Sequence, residues 1–457
     1  MSSTATIAAL ATAPQPAGVA VIRVSGSKAS SAIHAIFRGK MDPVEHPRYL
    51  CFGRIVDYQS GAEIDTCLAV FMPGPNSFTG EDIAEFQFHG SPIVAQRILR
   101  TLLSYGVSPA EPGEFTKRAF LNGKMDLVQA EAIADLINAK SEAAVQVLAE
   151  QLSGKFSNMI SDLAEPLRDA VAELEASIDF PEEDIEPDRK ELIITNIKSA
   201  SKKIADILKT YDYGSYMREG FKVLICGRPN AGKSSLLNRL LGRPRAIVTE
   251  ISGTTRDLLE EQVSLGGFSF VLCDSAGIRD AEDKVEKIGI DLAIEKIPWA
   301  DLVLVVADAT APANEWQEVV DILKPYGKMV WLVVNKIDAN PGALGIYVCD
   351  SSSCRQNLYL SAKTGSGIDT LIDALIDEVK SRSEIGESQA IITNERHRQC
   401  LDIAHERLES ACANENLPPE IISAEVRAAL NSIASLIGST STENILGRIF
   451  SKFCIGK

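Results

Sequence analysis

Apolar positions recur along this chain with two periods, and the places where the period changes divide it into segments. From residue 1 to about 120 the apolar runs are short and bounded by turn residues. Gly18–Val24, Leu50–Asp57, Thr66–Phe71 and Ile83–His89 therefore predict strands, with a helix over Pro92–Tyr105 on the stripe Ile93, Ile98, Leu99, Leu102 and Leu103. The stretch Glu111–Arg118 predicts a loop carrying a buried Phe115. Between about 122 and 180 the period becomes helical, through Leu127, Ala130, Ile133, Ala134, Ile137, Val145, Leu148 and Leu152, and another helix is expected over 191–211. From 218 to 379 strands alternate with helical patterns, at 221–226, 268–273, 302–307, 329–334 and 345–349. That alternation predicts a doubly wound, mostly parallel sheet. Gly266-Gly267 between Leu258–Leu265 and Phe268–Cys273 signals a tight hairpin, hence one antiparallel strand. Helical pattern resumes over Asn394–Cys412, from Pro418 to Leu436, and from Thr440 onward.

The expected architecture is multidomain. Residues 1–120 form an N-terminal α+β domain, and residues 121–217 and 381–457 form two parts of one all-α helical domain. An α/β P-loop domain over 218–380 is inserted between those parts. Inserting such a module is easy when its two ends lie close together.

Composition adds exclusions. A formal charge of −16, from 46 basic and 62 acidic residues, argues against a broadly basic nucleic-acid binder, so any RNA contact must be local or supplied by a partner. Nine cysteines without a CxxC pair point to reduced thiols rather than a disulfide framework. There is no signal-peptide pattern at the N-terminus and no apolar run of membrane-spanning length, so a cytoplasmic protein without membrane contact is expected.

The chemistry concentrates around Gly227-Arg-Pro-Asn-Ala-Gly-Lys-Ser234, set between an apolar run and a helical pattern. Glycines let the backbone wrap phosphate oxygens with N–H groups pointing inward, through Asn230, Ala231 and Gly232 to a helix that opens with Ser234 and Ser235. Lys233 would reach the β- and γ-phosphates of a nucleotide, and the Ser234 hydroxyl would hold Mg²⁺. Asn335-Lys336-Ile-Asp338 follows a strand. There the Asp338 carboxylate can accept from the N1–H and 2-amino edge of guanine, which adenine does not offer, while Asn335 can meet N7 and O6. Ser361-Ala362-Lys363 supplies the second base-side loop, so GTP is the expected nucleotide. Asp274-Ser275-Ala276-Gly277 would meet Mg²⁺ through water at Asp274 and sense the γ-phosphate at the Gly277 N–H. The switch loop runs through Thr249, Glu250, Ile251, Ser252, Gly253, Thr254 and Thr255, with Thr255 completing the Mg²⁺ shell. After Gly277 stands Ile278, where small GTPases carry a water-orienting glutamine. Either water is oriented another way or hydrolysis is slow until activated; Arg256, Arg279, Glu282, Asp283 and Glu286 are the charged candidates nearby.

Over essentially its whole length the chain resembles the MnmE/TrmE family of tRNA uridine-modification GTPases. The resemblance rests on Pro73-Gly-Pro-Asn-Ser-Phe-Thr-Gly-Glu-Asp82, Pro112-Gly-Glu-Phe-Thr-Lys-Arg-Ala-Phe-Leu121, Gly253-Thr-Thr-Arg-Asp257, Leu446-Gly-Arg-Ile-Phe450 and Cys454-Ile-Gly-Lys457. It implies a homodimer that works with the FAD-dependent partner MnmG. Together they would place an aminomethyl-type group at C5 of the wobble uridine of certain tRNAs, with a 5-formyl- or methylene-tetrahydrofolate as one-carbon source. It also implies that the N-terminal domain dimerises and binds folate. Four further assignments follow from the resemblance alone. K⁺ would be held by Asn230, Thr249 and the backbone of Ile251 and Thr254, and Glu286 would position the water. Arg23, Glu81, Lys124 and Lys457 would form the folate site, and Cys454 would take part in the modification. Ser275 departs from the family's usual threonine. The competing reading is a GTPase switch in ribosome assembly without one-carbon chemistry.

Overall fold

The computed structural model describes residues 5–180, 187–242, 260–274, 296–312, 315–345, 354–382, 390–413, 418–440, 443–451 and 453–457. The chain divides into two compact units, one made of Met1–Ile137, Leu148–Ile193 and Asn414–Lys457, the other of Asn138–Val147 and Ile194–Ala413.

The first unit is built on a seven-stranded sheet ordered β3-β4-β5-β6-β2-β1-β7. Its strands are β1 (Ile7–Leu10), β2 (Ala17–Ser25), β3 (Phe37–Gly39), β4 (Cys51–Val56), β5 (Glu63–Met72), β6 (Ile83–Gly90) and β7 (Ser108–Pro109). All neighbours pair antiparallel except β1 with β7. The alternation of β2 sends Ile22 and Val24 into a core shared with Ile33 of helix α1 (Ala29–Ile36) and Ile98 and Leu102 of α2 (Pro92–Ser104). Arg23 and Ser25 consequently occupy the other face, where Ile7, Ala9 and Phe115 form a second, smaller core with Phe78.

Phe115 belongs to a helix, α3 (Glu114–Leu121), where the sequence reading expected a loop over Glu111–Arg118. The Pro-Gly pair that suggested a turn is in fact the helix start. Gly113 caps α3 in the left-handed region at φ 68°, and Glu114 lies in the first turn, where a carboxylate suits the positive end of the helix.

Helices α4 (Leu127–Ile137), α5 (Glu142–Leu152) and α6 (Lys155–Asp179) follow. The helix Pro419–Ile437, encoded far downstream, packs along α6, with Arg427 ion-paired to Glu175. Leu446, Phe450 and Phe453 bury themselves against Leu127 and Ala130.

The second unit contains a six-stranded sheet ordered β13-β12-β11-β8-β10-β9. These strands are β8 (Phe221–Cys226), β9 (Glu260–Leu265), β10 (Phe268–Asp274), β11 (Leu302–Asp308), β12 (Met329–Asn335) and β13 (Cys354–Tyr359). All pairings are parallel except β9 with β10, the expected hairpin. The nearly unbroken apolar runs of β8, β11 and β12 reflect burial on both faces. Of the strand expected at 345–349, residues 346–349 lie outside the described residues; the strand beside β12 is β13. Helices α7 (Pro187–Leu208) and α8 (Tyr211–Glu219) precede the sheet and the helix Glu395–Ala413 follows it. That later helix is fastened to α7, Ser201 bonding both His405 and Glu409.

Candidate functional site

Because β8, β10, β11, β12 and β13 run parallel, their C-terminal ends lie along one edge of the sheet, and most of the motif residues described here are at those ends. After Cys226 the backbone turns at Gly227, φ 144°, where an added Cβ would stand 2.3 Å from the Val306 carbonyl oxygen. The loop passes through Asn230 at φ 62° and Gly232 at φ 94° before α9 (Lys233–Leu241) begins. Lys233 folds its ammonium into the loop and donates to the carbonyls of Gly227 and Arg228, each at 2.9 Å.

Ser234 Oγ donates to Asp274 Oδ2 at 2.7 Å, joining the first turn of α9 to the end of β10. A hydroxyl and a carboxylate brought together beside a phosphate loop are hard oxygen donors of the kind Mg²⁺ takes, so the pair fits that ion. Asn335 ends β12 and is nearly fully buried. Its Nδ2 donates to the Ala231 carbonyl and its Oδ1 accepts from the Ala362 N–H, both at 2.9 Å, so one side chain ties the phosphate loop to the loop after β13. Asp338 Oδ1 accepts from Ser361 Oγ at 2.6 Å. Lys336, at φ 66°, bonds Asp308 at 2.6 Å. Burial raises the Asp308 carboxyl, but its hydrogen bonds to Lys336 and Thr310 outweigh that and hold it below the ordinary carboxylate range. Ser235 and Lys363 are exposed. Thr249, Glu250, Ile251, Ser252, Gly253, Thr254, Thr255, Ser275, Ala276, Gly277 and Glu286 lie outside the described residues.

A second polar cluster sits in the first unit, on the Arg23 face of the sheet. Arg23 donates to Glu85 at 2.8 Å and spreads its guanidinium 5.2 Å from the Phe78 ring centre and 5.8 Å from that of Phe115. The Phe115 N–H, in the first turn of α3, donates to the main-chain oxygen of Lys457 at 3.2 Å. The Cys454 carbonyl accepts from Gly113 at 3.4 Å, while Cys454 itself is exposed. The tail 453–457 thus lies over the start of α3. Glu81 is held by Ser25 and Arg118, and lines an open recess of about 480 Å³ with Ala5, Gly26, Ser27, Gly74, Gly80 and Asp82. Lys124 reaches Gly80, where an added Cβ would stand 3.2 Å from Lys124 Cε.

Arg23, Glu81, Lys124 and Lys457, far apart in sequence, are therefore gathered around one region. Sequence reasoning passed over Ser25, Thr79 and Arg118. Ser25 had a usable signal, since it lies two positions from Arg23 along a strand and shares its face. Among the described residues no set of three or more His, Cys, Asp or Glu is arranged to hold a metal, and no helix is long and apolar enough to cross a membrane.

Two family models match. One described as the GTP-binding protein TrmE N-terminus covers residues 6–124, and the MnmE helical domain covers 127–454. Among curated proteins, the chain is 40% identical to a tRNA modification GTPase MnmE of Geobacter sulfurreducens, over 99% of both chains. It is 42% identical to the MnmE of Yersinia pseudotuberculosis and to that of Pectobacterium atrosepticum, over 100% of each chain.

Proposed function

The chain belongs to the MnmE family of tRNA modification GTPases, and from that premise we propose how its two sites divide the work. It is a GTP hydrolase that acts in tRNA modification. The family assignment selects this reading over a switch in ribosome assembly.

GTP binds along the strand-end edge, its phosphates wrapped by Asn230–Ser235 and its guanine read by Asp338 beside Ser361, Ala362 and Lys363. Asn335 and Lys336 hold the loops that frame the base. Mg²⁺ is held by Ser234 and Thr255 and, through water, by Asp274, and offsets charge on the phosphates. K⁺ at Asn230, Thr249, Ile251 and Thr254 supplies positive charge where negative charge develops. Glu286 orients the water, and the stretches Thr249–Thr255 and Ser275–Gly277 respond to the γ-phosphate.

The cluster of Arg23, Glu81, Lys124 and Lys457 takes a tetrahydrofolate one-carbon donor. A carboxylate suits the N–H edge of a pterin, and the cations suit its glutamate tail. Cys454 takes part in the modification chemistry, a reading supported by its exposure on the tail that covers α3. The protein is a cytoplasmic homodimer working with the flavin-dependent partner MnmG on C5 of the wobble uridine. Domain limits at 1–120, 121–217, 218–380 and 381–457 accompany this reading.

The observation that carries the proposal is the gathering of the Arg23 cluster beneath a tail that bears Cys454, in a chain that also holds a complete phosphate loop. The test is nucleoside mass spectrometry of tRNA from cells lacking the protein. Loss of the C5-modified wobble uridine is expected, with recovery on re-expression of wild type and none from Arg23→Ala; a full level of that nucleoside in the deletion strain would refute the assignment.

A further inference from the structure

The geometry points to Arg118 as a positioning residue that aims the Glu81 carboxylate at a ligand's N–H edge. This rests on the folate reading above and extends it to a residue outside the site proper.

Arg118 is buried, its side chain only 5% exposed, on the inner side of α3. Its guanidinium sits between two carboxylates. Nη1 approaches both Glu81 oxygens, at 3.2 and 3.1 Å, and Nη2 donates to Glu114 Oε1 at 2.7 Å. Glu114 is itself fixed, because its Oε2 accepts from the Glu111 N–H at 2.8 Å. Arg118 is therefore anchored on one side and grips Glu81 from the other.

Proton counting around Glu81 gives the rest. Ser25 Oγ donates to Glu81 Oε2 at 2.7 Å, which uses its one proton. Ser25 and Thr79 hydroxyl oxygens are 2.7 Å apart, so Thr79 must be the donor of that pair. Thr79 Oγ1 in turn accepts from the Glu81 backbone N–H at 3.2 Å. Ser25 and Thr79 are fully buried, and the Glu81–Thr79–Ser25 hydrogen bonds close into a ring that leaves the two hydroxyls no spare proton. Oε2 is saturated by Ser25 and Arg118. Among the described residues Oε1 has only the longer contact to Arg118, and it keeps a lone pair for a donor.

At this point of the site the exposed group is a carboxylate oxygen, which accepts and so suits a ligand edge that carries N–H donors. One guanidinium nitrogen meets both Glu81 oxygens while Nε and Nη2 hold the plane on Glu114, so the direction of that contact is set in advance, as an ammonium on a flexible stem would not set it.

The test is calorimetric titration of the full chain with 5-formyltetrahydrofolate, using wild type, Arg118→Gln, Arg118→Lys, Glu81→Gln and the double variant Arg118→Gln/Glu81→Gln. Affinity should fall about tenfold or more in Arg118→Gln and less in Arg118→Lys. The double variant should bind no more weakly than Glu81→Gln, because Arg118 acts through Glu81. Thermal melts check folding, and if Arg118→Gln does not fold, Arg118→Lys carries the comparison. Unchanged affinity in a folded Arg118 variant overturns the proposal. Additive losses in the double variant also overturn it, since they would mark a merely structural arginine. If wild type does not bind 5-formyltetrahydrofolate, the folate reading fails first and takes this inference with it.

Discussion

Gly232 and Asn335 leave each other no room: a Cβ added to Gly232 would lie 2.2 Å from Asn335 Nδ2. Gly232 also holds φ 94°, a conformation that L side chains rarely adopt. Gly232→Ala should therefore break the Asn335 bridge to Ala231 and destabilise this unit by about 1–3 kcal/mol. GTP affinity should fall with it. Gly18→Ala, which meets nothing within 4 Å, is the matched control. Denaturant titration and nucleotide binding check both, and a Gly232→Ala protein with wild-type GTP affinity would remove the bridge from the account of the site.

Asn230 occupies the left-handed region at φ 62°, which asparagine tolerates better than most side chains. If it holds K⁺ as proposed, Asn230→Ala should lose the gain in GTP turnover on exchanging Na⁺ for K⁺. Steady-state rates in the two salts measure this. Wild-type rates that are equal in both would dismiss K⁺ activation altogether.

The tail offers a separate handle. Gly456 holds φ 98°, and a Cβ there would meet the Leu10 carbonyl oxygen at 2.1 Å. Gly456→Ala should lift the tail from α3 and expose the Gly113 and Phe115 amides. Hydrogen exchange at those two amides should accelerate about tenfold or more. Unaltered protection would mean that the tail tolerates the extra carbon.

Acid should loosen the start of the helix Glu395–Ala413. Hydrogen bonds from Arg398, with further ones from Tyr211 and Gln399, hold the Glu395 carboxyl at about 2 against burial, from an ordinary value of 4.5. A carboxyl whose pKa is depressed on folding stabilises above its ordinary pKa and loses that contribution as pH falls through the folded value. The melting temperature of wild type should exceed that of Glu395→Gln near pH 7, and the gap should close between pH 4.5 and about 2. A gap that stays constant over that range would rule out the ionised carboxylate as its source.

Thiol reagents should sort the cysteines by environment. Burial, helped by the Asp65 charge, pushes Cys67 up to about 12, and burial pushes Cys226 to about 12 despite the nearby Lys233. At pH 8 each is thiolate in only about one molecule in ten thousand. Cys454 is exposed, so it should provide the fast phase of an Ellman titration of the folded protein, and Cys454→Ser should delete that phase. Persistence of the fast phase would assign it to another cysteine.

The nucleotide site was legible because its parts are local. A phosphate loop needs glycines at fixed spacing between a strand and a helix, and Asp274 and Asp338 sit at or just past strand ends that apolar runs already mark. The bridge made by Asn335 was not legible, because nothing in four consecutive residues reveals which neighbouring loop will occupy a side chain. The short strands β1 and β7 carry too few residues for a period to show. The helix α3 was mistaken for a loop because Pro112-Gly113 is a turn signal in isolation, and only the packing of Phe115 and Arg118 shows a helix behind it. Arg118 itself looked like one basic residue among several, since its two partners lie on opposite sides, one a turn away and one in a different loop.

The docking of residues 453–457 on α3 also bears on when the molecule becomes competent. A ribosome delivers α3 early and the tail after the whole six-stranded sheet has been made. All seven strands of the sheet that carries Arg23 end by Pro109, so in a nascent chain they are made while the tail is still missing. Contacts that join such distant parts of a chain form late in folding, and here they are the ones that complete the cluster. A prematurely terminated product would retain the phosphate loop and so could still compete for GTP, but it would carry neither Cys454 nor Lys457.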